Sequence, residues 1–261
     1  MDSQFQGAIA VVTGAGSGIG AATAHALGLR GASRVYVLDL DETGARTVAE
    51  SITGAVPVAV DVADPVQVAD VFDTVVTDSG RIDIVVHAAG VDDPVSKAWI
   101  QEAVDSGDPV DVIARLSDDM WRRVLAVNLD GTFHVLREAV RCMRDRGGGS
   151  IVTVGSSSAF DTLIGYPHYS ASKAAVHALT QSVAKEVLPF GIRVNTVAPG
   201  PVDTGMAART PPHLRAAMES GPARGYATAA ELADSILYLA SPGAANVVGA
   251  VLLSNGGRFT V

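Results

Sequence analysis

Short apolar segments alternate with longer amphipathic segments along the whole chain. The apolar segments are rich in β-branched residues, as strands are, and span 8–13, 34–40, 56–60, 82–87, 150–154, 193–198 and 250–253. Several are apolar at consecutive positions, which is typical of parallel strands covered on both faces. Helical periodicity occupies about 18–30, 42–51, 65–79, 118–146, 169–188 and 228–240. This alternation predicts an α/β fold, a doubly wound, seven-stranded parallel sheet with helices on both faces.

Two segments interrupt the alternation, 91–117 after the fourth predicted strand and 199–227 after the sixth. Both leave the carboxyl edge of the predicted sheet, where open α/β sheets bind their ligands. We therefore predict a single domain, 1–261, with a variable insertion at 91–117 and a substrate-side loop at 199–227. The alternative is that either segment is an ordinary surface excursion.

The charge balance limits the possible partners and the compartment. Nineteen basic against 28 acidic residues give a net charge of −9, which disfavours nucleic acid and anionic membranes. Cys142 is the only cysteine, so no intrachain disulfide can form and a cytoplasmic location is expected. Residues 7–29 lack charged side chains, but their six glycines and several polar residues argue against a membrane span. Because the sequence has no His-x-x-x-His pair and no cysteine cluster, no metal is expected.

A glycine-rich turn follows the first predicted strand, with the spacing Thr-Gly-x-x-x-Gly-x-Gly over residues 13–20. Glycines let the backbone approach a pyrophosphate, and the next helix supplies free N–H groups and a positive dipole end. This placement predicts nucleotide binding. The residues expected to bind the cofactor here are Gly14, Ser17, Gly18, Ile19 and Gly20.

An acid ends the second predicted strand. Asp39 lies 19 residues beyond Gly20, where an acid accepts hydrogen bonds from the adenosine ribose hydroxyls. No Lys or Arg occurs within the glycine turn or at Leu40 to pair a 2′-phosphate, so NAD is favoured and NADP disfavoured. Asp61, just before Val62, is a candidate for the adenine amino group. For both acids the alternative is a plain strand-end carboxylate.

Tyr169 and Lys173 lie four positions apart at the start of a predicted helix, so their side chains share one face. A free tyrosine has a pKa near ~10, too high for acid–base catalysis at neutral pH, and a neighbouring cation favours the tyrosinate. Lysine is scarce in this chain, which makes the pair informative.

In their order and placement, these motifs resemble the short-chain dehydrogenase/reductase family, in its single-domain branch. The matching elements are Thr13-Gly14-x-x-x-Gly18-x-Gly20, Asn128-Leu129-Asp130-Gly131, Ser156, Tyr169-x-x-x-Lys173 and Pro199-Gly200-Pro201-Val202-Asp203-Thr204. The resemblance covers essentially the whole chain. It implies a Rossmann-type domain, a nicotinamide cofactor and a homotetramer packed through the predicted helices 118–146 and 169–188.

The resemblance implies roles for the catalytic residues. Tyr169 would be the general acid/base toward the substrate, and Lys173 would hold the nicotinamide ribose and lower the Tyr169 pKa. Ser156 would hydrogen-bond the reacting oxygen, although Ser157 and Ser158 adjoin it and only spacing selects it. Asn128 would hold a water in a proton relay from Lys173, and it could at the same time fix a bend in the long helix.

The remaining cofactor contacts implied by the resemblance follow later strands. The Val202 backbone and the Thr204 hydroxyl, in the segment that begins at Pro199 and Gly200, would bind the carboxamide. Ala88, Ala89 and Gly90 would admit the adenine ribose. Two positions depart from the family: His87 replaces an asparagine and Asn255 an aspartate. We interpret His87 as structural, and Tyr166 and His168 as pocket wall.

The favoured function is reversible hydride transfer between NAD(H) and a secondary alcohol or ketone. The nearest alternative is a 3-oxoacyl-thioester reductase, a kind of enzyme that tends to use NADPH and a basic surface for its acidic carrier. A non-catalytic NAD-binding subunit is the third possibility. Six acids against two basic residues in 91–117 suggest an acidic rim and hence a small neutral substrate.

Overall fold

The computed structural model describes residues 4–210, 212–220 and 223–261. Its strands are β1 (Ile9–Thr13), β2 (Arg34–Asp39), β3 (Ala55–Ala59), β4 (Ile84–His87), β5 (Gly149–Val154), β6 (Ile192–Pro199) and β7 (Val251–Ser254). They form one sheet in the order β3-β2-β1-β4-β5-β6-β7, and every neighbouring pair is parallel. The predicted seven-stranded, Rossmann-type α/β fold is confirmed.

Ten α-helices lie within the described residues: α1 (Gly18–Leu29), α2 (Glu42–Glu50), α3 (Pro65–Ser79), α4 (Pro94–Ser106), α5 (Asp118–Leu125), α6 (Gly131–Met143), α7 (Pro167–Val187), α8 (Gly205–Ala208), α9 (Pro212–Glu219) and α10 (Ala229–Ala240). Three features differ from the prediction. The segment 91–117 contains helix α4. The segment 199–227 contains helices α8 and α9. The helix predicted over 118–146 is interrupted by a π-helical turn, Ala126–Asp130.

Each face of the sheet is covered by its own apolar layer. Along β1, Ala10 and Val12 belong to the cluster that includes Leu27 of α1 and Ile236 of α10. The intervening Val11 belongs to the other cluster, with Phe72 of α3 and Val135 of α6. Successive residues of a strand face opposite sides, so burial on both sides explains the continuous apolar runs.

The strand order reverses between β1 and β4, which are hydrogen-bonded neighbours with Thr13 opposite His87. At such a switch point the connections leave in opposite directions and open a crevice beyond the carboxyl ends of the strands. The glycine turn and the segment 88–90 emerge there, so the fold brings the predicted cofactor residues to one edge.

Within the part of the chain that the structure describes, no helix combines the length and apolarity needed to cross a membrane. The same residues contain no group of three or more His, Cys, Asp or Glu side chains arranged to hold a metal ion.

Candidate active site

A cleft of about 280 Å³ lies at the switch point. Of the predicted cofactor residues, it is lined by Gly14, Ser17, Gly18, Ile19, Gly20, Asp39, Leu40, Val62, Ala88, Ala89, Gly90 and Thr204. Asp61, Tyr169, Lys173, Pro199, Gly200 and Val202, which complete the predicted cofactor set, are not among its described lining residues. The sheet edge therefore gathers most of the predicted set in one place.

The glycine turn approaches its neighbours too closely for side chains. A Cβ on Gly14, whose φ is +63°, would lie 2.6 Å from the Ala89 nitrogen. A Cβ on Gly18 (φ +53°) would lie 3.3 Å from Thr204 Cγ2, across the cleft. Ser17 caps α1 with extended backbone and without a capping hydrogen bond from its side chain, so the helix opens toward the cleft. This bare, glycine-lined helix start fits a dinucleotide pyrophosphate.

The Asp39 carboxylate turns back toward the glycine turn. Its two oxygens accept hydrogen bonds from the backbone N–H of Gly16 at 2.8 Å and of Asp41 at 2.9 Å. The neighbouring Leu40 is an exposed apolar side chain that lines the same cleft. The residues present thus fit a ribose with free hydroxyls, because a carboxylate accepts and Leu40 offers no positive charge.

Asp61 and the segment 199–204 also make hydrogen bonds with neighbouring backbone. The Asp61 side chain accepts from the Ala63 N–H at 2.9 Å, which shapes the turn into α3. Val202 forms a parallel bridge with Ala227, and the Thr204 hydroxyl accepts from the Ala207 N–H at 3.4 Å at the start of α8. The adenine contact of Asp61 and the carboxamide contacts of Val202 and Thr204 remain predictions.

Helix α7 carries Tyr169 and Lys173 one turn apart. The Lys173 Nζ donates to the Val154 carbonyl at 2.9 Å and lies 6.0 Å from the centre of the Tyr169 ring. Lys173 is only 5% exposed, and burial lowers its pKa to about 8. The lysine is therefore held at the end of β5, close to the tyrosine.

Burial is also the largest influence on Tyr169, and it raises the pKa of the hydroxyl. A hydrogen bond with Ser156 lowers that pKa, and the charge of Asp92 raises it. Burial outweighs the Ser156 contact, so the net shift of the Tyr169 pKa is upward, and the lowering expected from Lys173 stays a prediction.

The contact with Tyr169 separates Ser156 from its neighbours. Ser156, not Ser157 or Ser158, is the serine whose side chain lowers the pKa of the tyrosine hydroxyl. Its oxygen also accepts from the backbone N–H of Ser158 at 3.1 Å and from the Ser158 hydroxyl at 2.9 Å. Ser156 thus lies beside the reacting position, and Ser158 orients it.

Asn128 occupies the π-helical turn and is fully buried. Its side chain accepts from the Val91 N–H at 2.8 Å and donates to the Val91 carbonyl at 3.0 Å. It also donates to the Ser172 hydroxyl at 3.1 Å. Asn128 therefore ties the segment after β4 to α7, while its part in a proton relay stays a prediction.

Both departures from the family pattern have structural partners. The His87 Nδ1 lies 2.8 Å from the Thr13 hydroxyl, and burial, together with Lys173, lowers the His87 pKa to about 3. Asn255 donates to the Phe259 carbonyl at 2.9 Å and accepts from the Gly257 N–H at 3.0 Å. A neutral histidine fastened to β1 and an asparagine closing the last turn fit structural roles.

Sequence reasoning missed His177, one turn beyond Lys173 on the same face of α7. Its Nε2 accepts from the Ser156 N–H at 3.3 Å, and its ring packs against Phe160 at 5.1 Å between centres. A Cβ on Gly155 would lie 2.2 Å from that nitrogen. Burial, aided by Lys173, lowers the His177 pKa to about 4, so the ring is a neutral acceptor. The four-residue spacing from Lys173 is the signal that could have revealed it.

Both interrupting segments reach Tyr169. Tyr166 forms a small apolar cluster with Ile100 of α4 and Val112, against which Tyr169 and Leu214 of α9 pack. The insertion 91–117 and the loop 199–227 are therefore walls around Tyr169. The predicted pocket-wall position of Tyr166 agrees with this cluster.

The acidic rim expected from 91–117 is partly neutralised in the structure. Asp92 is buried in ion pairs with Lys97 and Arg209. Asp93 caps α4, and Glu102 pairs with Arg115. Two of the six acids are therefore compensated by cations within the fold, which weakens the charge argument for a neutral substrate.

Comparison with known proteins gives the family. A family model described as enoyl-(acyl carrier protein) reductase matches residues 14–258. The chain is 40% identical over 266 residues to the cis-4-hydroxycyclohexanecarboxylate dehydrogenase of Sinomonas cyclohexanicum, with all of both chains covered. The chain belongs to the short-chain dehydrogenase/reductase family. The resemblance found in the motifs is thereby confirmed, and the protein is an oxidoreductase of that family.

Other relatives of this short-chain dehydrogenase/reductase have different described activities. The 3-oxoacyl-[acyl-carrier-protein] reductase of Salmonella typhimurium is 31% identical over 259 residues, covering 98% of this chain and 99% of the relative. A crystal structure described as ribose-5-phosphate isomerase from Brucella melitensis matches with a TM-score of 0.85 and 32% identity. That match covers 98% of this chain and 93% of the other.

Proposed function

We propose that the protein is an NAD-dependent dehydrogenase that interconverts a small secondary alcohol and its ketone. The observation that carries the proposal is the arrangement at the start of α7: the Ser156 side chain lowers the Tyr169 pKa, and Lys173 lies one turn further along the helix. The Lys173 Nζ would lie 3.2 Å from a Cβ on Gly90, which lines the cleft. The 40% identical relative, described as acting on a hydroxycyclohexane, supports an alcohol substrate.

The residues divide the chemistry as follows. The nicotinamide supplies hydride chemistry at the substrate carbon. In the oxidative direction, Tyr169 takes the proton of the substrate hydroxyl while Ser156 holds the same oxygen. In the reductive direction, Tyr169 returns that proton to the carbonyl oxygen. Lys173 provides the positive charge that favours the tyrosinate, and burial by the two walls keeps water from the reacting atoms.

The proposed cofactor preference rests on Asp39. Its carboxylate would accept hydrogen bonds from the adenosine ribose hydroxyls, and it would repel a 2′-phosphate of about −1.5 to −2 charge. Leu40 offers no compensating cation. Gly14, Ser17, Gly18, Ile19 and Gly20 would hold the pyrophosphate.

A 3-oxoacyl-[acyl-carrier-protein] reductase is the second candidate, favoured by the 31% identical relative and by the description of the family model. The net charge of −9 opposes it, because an acidic carrier would be repelled. Asp39 opposes the NADPH expected for that reaction. A non-catalytic NAD-binding role is opposed by the complete Asn128, Ser156, Tyr169 and Lys173 set. A cytoplasmic homotetramer remains part of the proposal.

A turnover assay tests these candidates together. The purified protein is given NAD or NADP with hydroxycyclohexanes and small polyols, and NADH or NADPH with a 3-oxoacyl thioester. We expect oxidation of a secondary alcohol with NAD to give the highest kcat/KM. Faster reduction of the thioester with NADPH would select the second candidate, and absence of every turnover would select the third.

A further inference from the structure

An ion-pair cluster joins the two walls of the site. Asp92, directly after the segment that borders the cleft, is ion-paired with Lys97 of α4 through one oxygen. Its other oxygen accepts from the Arg209 Nη2 at 2.9 Å. Lys97 also donates to the Met206 carbonyl at 3.0 Å, so the cluster reaches the start of α8.

The charges of the cluster do not cancel. Two cations share the single Asp92 carboxylate, and among the described residues no other acid is paired with either. The adjacent Asp93 is taken up by the start of α4, where it accepts from the Val95 and Ser96 N–H groups. Because Lys97 already neutralises Asp92, the positive charge of Arg209 is not compensated within the cluster.

Arg209 is the accessible member of the cluster. The Asp92 and Lys97 side chains are 6% and 9% exposed, but that of Arg209 is 50% exposed. A guanidinium has five N–H donors in a rigid fork that matches a carboxylate in two-point contact. The bond to Asp92 fixes the orientation of this fork and uses one nitrogen.

The cluster also lies near the catalytic centre. Val91, its neighbour in the chain, and Met206, which accepts from Lys97, both line the cofactor cleft. The charge of Asp92 is felt at both tyrosines, where it raises the pKa of Tyr166 and Tyr169. Arg209, held by Asp92, therefore lies on the side of the site from which the Asp92 charge reaches both tyrosines.

We propose that Arg209 is a specificity-determining residue that binds a carboxylate on the substrate, so that the enzyme acts on hydroxy or oxo acids. Asp92 and Lys97 are positioning residues in this arrangement. Asp92 orients the guanidinium, and Lys97 neutralises the Asp92 carboxylate, so that Arg209 keeps its positive charge for the substrate. The inference rests on the proposed dehydrogenase function for the reacting hydroxyl, but the carboxylate contact is independent of hydride transfer.

Paired substrates test it. Wild type and Arg209→Gln are assayed with 4-hydroxycyclohexanecarboxylate and with the carboxamide of the same alcohol. We expect wild type to prefer the acid by at least ~10-fold in kcat/KM, about 1.4 kcal/mol, and Arg209→Gln to abolish most of that preference. Arg209→Lys, which keeps the charge but loses the fork, should retain part of it.

Arg215→Gln is the matched control, since it removes an arginine ion-paired with Asp203 and Glu219 in the same loop. The acid-to-amide preference should be unchanged in this variant. A wild-type preference for the amide, or an Arg209→Gln variant that loses activity equally on both substrates, would overturn the proposal.

Binding separates this inference from the proposed function. Cyclohexanecarboxylate, which lacks the reacting hydroxyl, is titrated calorimetrically into the protein with NADH. We expect its Kd to rise at least ~10-fold in Arg209→Gln, even if no alcohol is turned over. Equal affinity for cyclohexanecarboxamide, or no binding of the acid by wild type, would refute the carboxylate site whatever the kinetics show.

Discussion

Among single residues, Asp39 has the most direct bearing on the choice of cofactor. Its carboxylate accepts from Gly16 and so lies against the glycine turn. Its spacing from the turn was readable from the sequence because strand and turn lengths are local. The hydrogen bond from the Gly16 N–H was not readable from the sequence, since it depends on how β2 is placed beside β1.

Changing Asp39 should change the cofactor preference. At ~4 Å and an effective dielectric near 20, each unit of like charge opposes NADP by up to ~4 kcal/mol before rearrangement. We therefore expect wild type to favour NAD by at least ~100-fold in kcat/KM, about 2.7 kcal/mol. Asp39→Ala with Leu40→Arg should narrow or invert this ratio in steady-state assays. Equal use of both cofactors by wild type would refute the role of Asp39.

Lys173 should make stability depend on pH. Burial lowers its pKa from 10.5 to about 8, so between these values the unfolded chain binds more protons than the folded one. The free energy of unfolding should therefore rise with pH across this window, by ~2–3 kcal/mol from this group. Urea unfolding at pH 7.5 and 9.5, at one protein concentration, measures the rise.

Lys173→Met provides the comparison for that slope. The variant lacks the titrating group, so its free energy of unfolding should not show this rise. Relative to wild type, the variant should therefore become less stable as the pH increases. Identical slopes for the two proteins would contradict a buried lysine with a lowered pKa. Above pH 10 the raised pKa of Tyr166 and of Tyr169 works in the opposite direction, which limits the useful window.

At the scale of elements, α7 is the platform of the site, with Tyr169, Lys173 and His177 at successive turns. His177 differs from the other two because it acts on the backbone: it accepts from Ser156 and packs against Phe160. It therefore holds both ends of the short segment that presents the serine. This makes His177 a positioning residue for Ser156.

Replacing His177 should lower turnover without weakening the binding of the cofactor. His177→Phe fills similar space but cannot accept the Ser156 N–H, so we expect kcat to fall by about 10-fold or more, with the Kd for NADH within a few-fold. His177→Gln can restore an acceptor and should recover part of kcat. If both variants show wild-type kcat, or if Gln is no better than Phe, His177 does not act through this hydrogen bond.

The elements that patterning predicts have an apolar buried face. Helix α3 is predicted over 65–79, spans Pro65–Ser79 and buries Val68, Phe72 and Val75. Helix α4, which follows Asp93 and ends at Gly107, is not predicted, because its buried face is mostly polar or small: Ser96, Lys97, Ile100 and Ala103. The π-helical turn was also missed, since its register follows the contacts of Asn128 with Val91, a tertiary feature.

At the scale of the whole molecule, the surfaces of α5 and α6 bear on assembly. Trp121 and Phe133 remain 37% and 47% exposed there, and Phe133 lies under Arg137. Large exposed aromatic side chains are typical of subunit contacts. The sequence shows the excess of apolar positions on these helices. It does not show how another subunit would cover them, because contacts between subunits are not part of the packing within one chain.

Sedimentation equilibrium should therefore give a homotetramer, with about four times the 26.7 kDa chain mass at micromolar protein. Phe133→Glu places a charge on the expected contact and should lower the average mass. A mass near that of one chain for wild type would reject the tetramer.

We propose Tyr169 as the acid–base catalyst, and the rate of hydride transfer in a single turnover reports the loss of its hydroxyl. Wild type, Tyr169→Phe and the exposed control Tyr238→Phe are mixed with NAD and a substrate alcohol, and NADH formation is followed by absorbance. We expect Tyr169→Phe to slow hydride transfer at least ~10²-fold with nearly unchanged NADH affinity, and Tyr238→Phe to match wild type. Near wild-type hydride transfer by Tyr169→Phe would exclude Tyr169 as the acid–base catalyst.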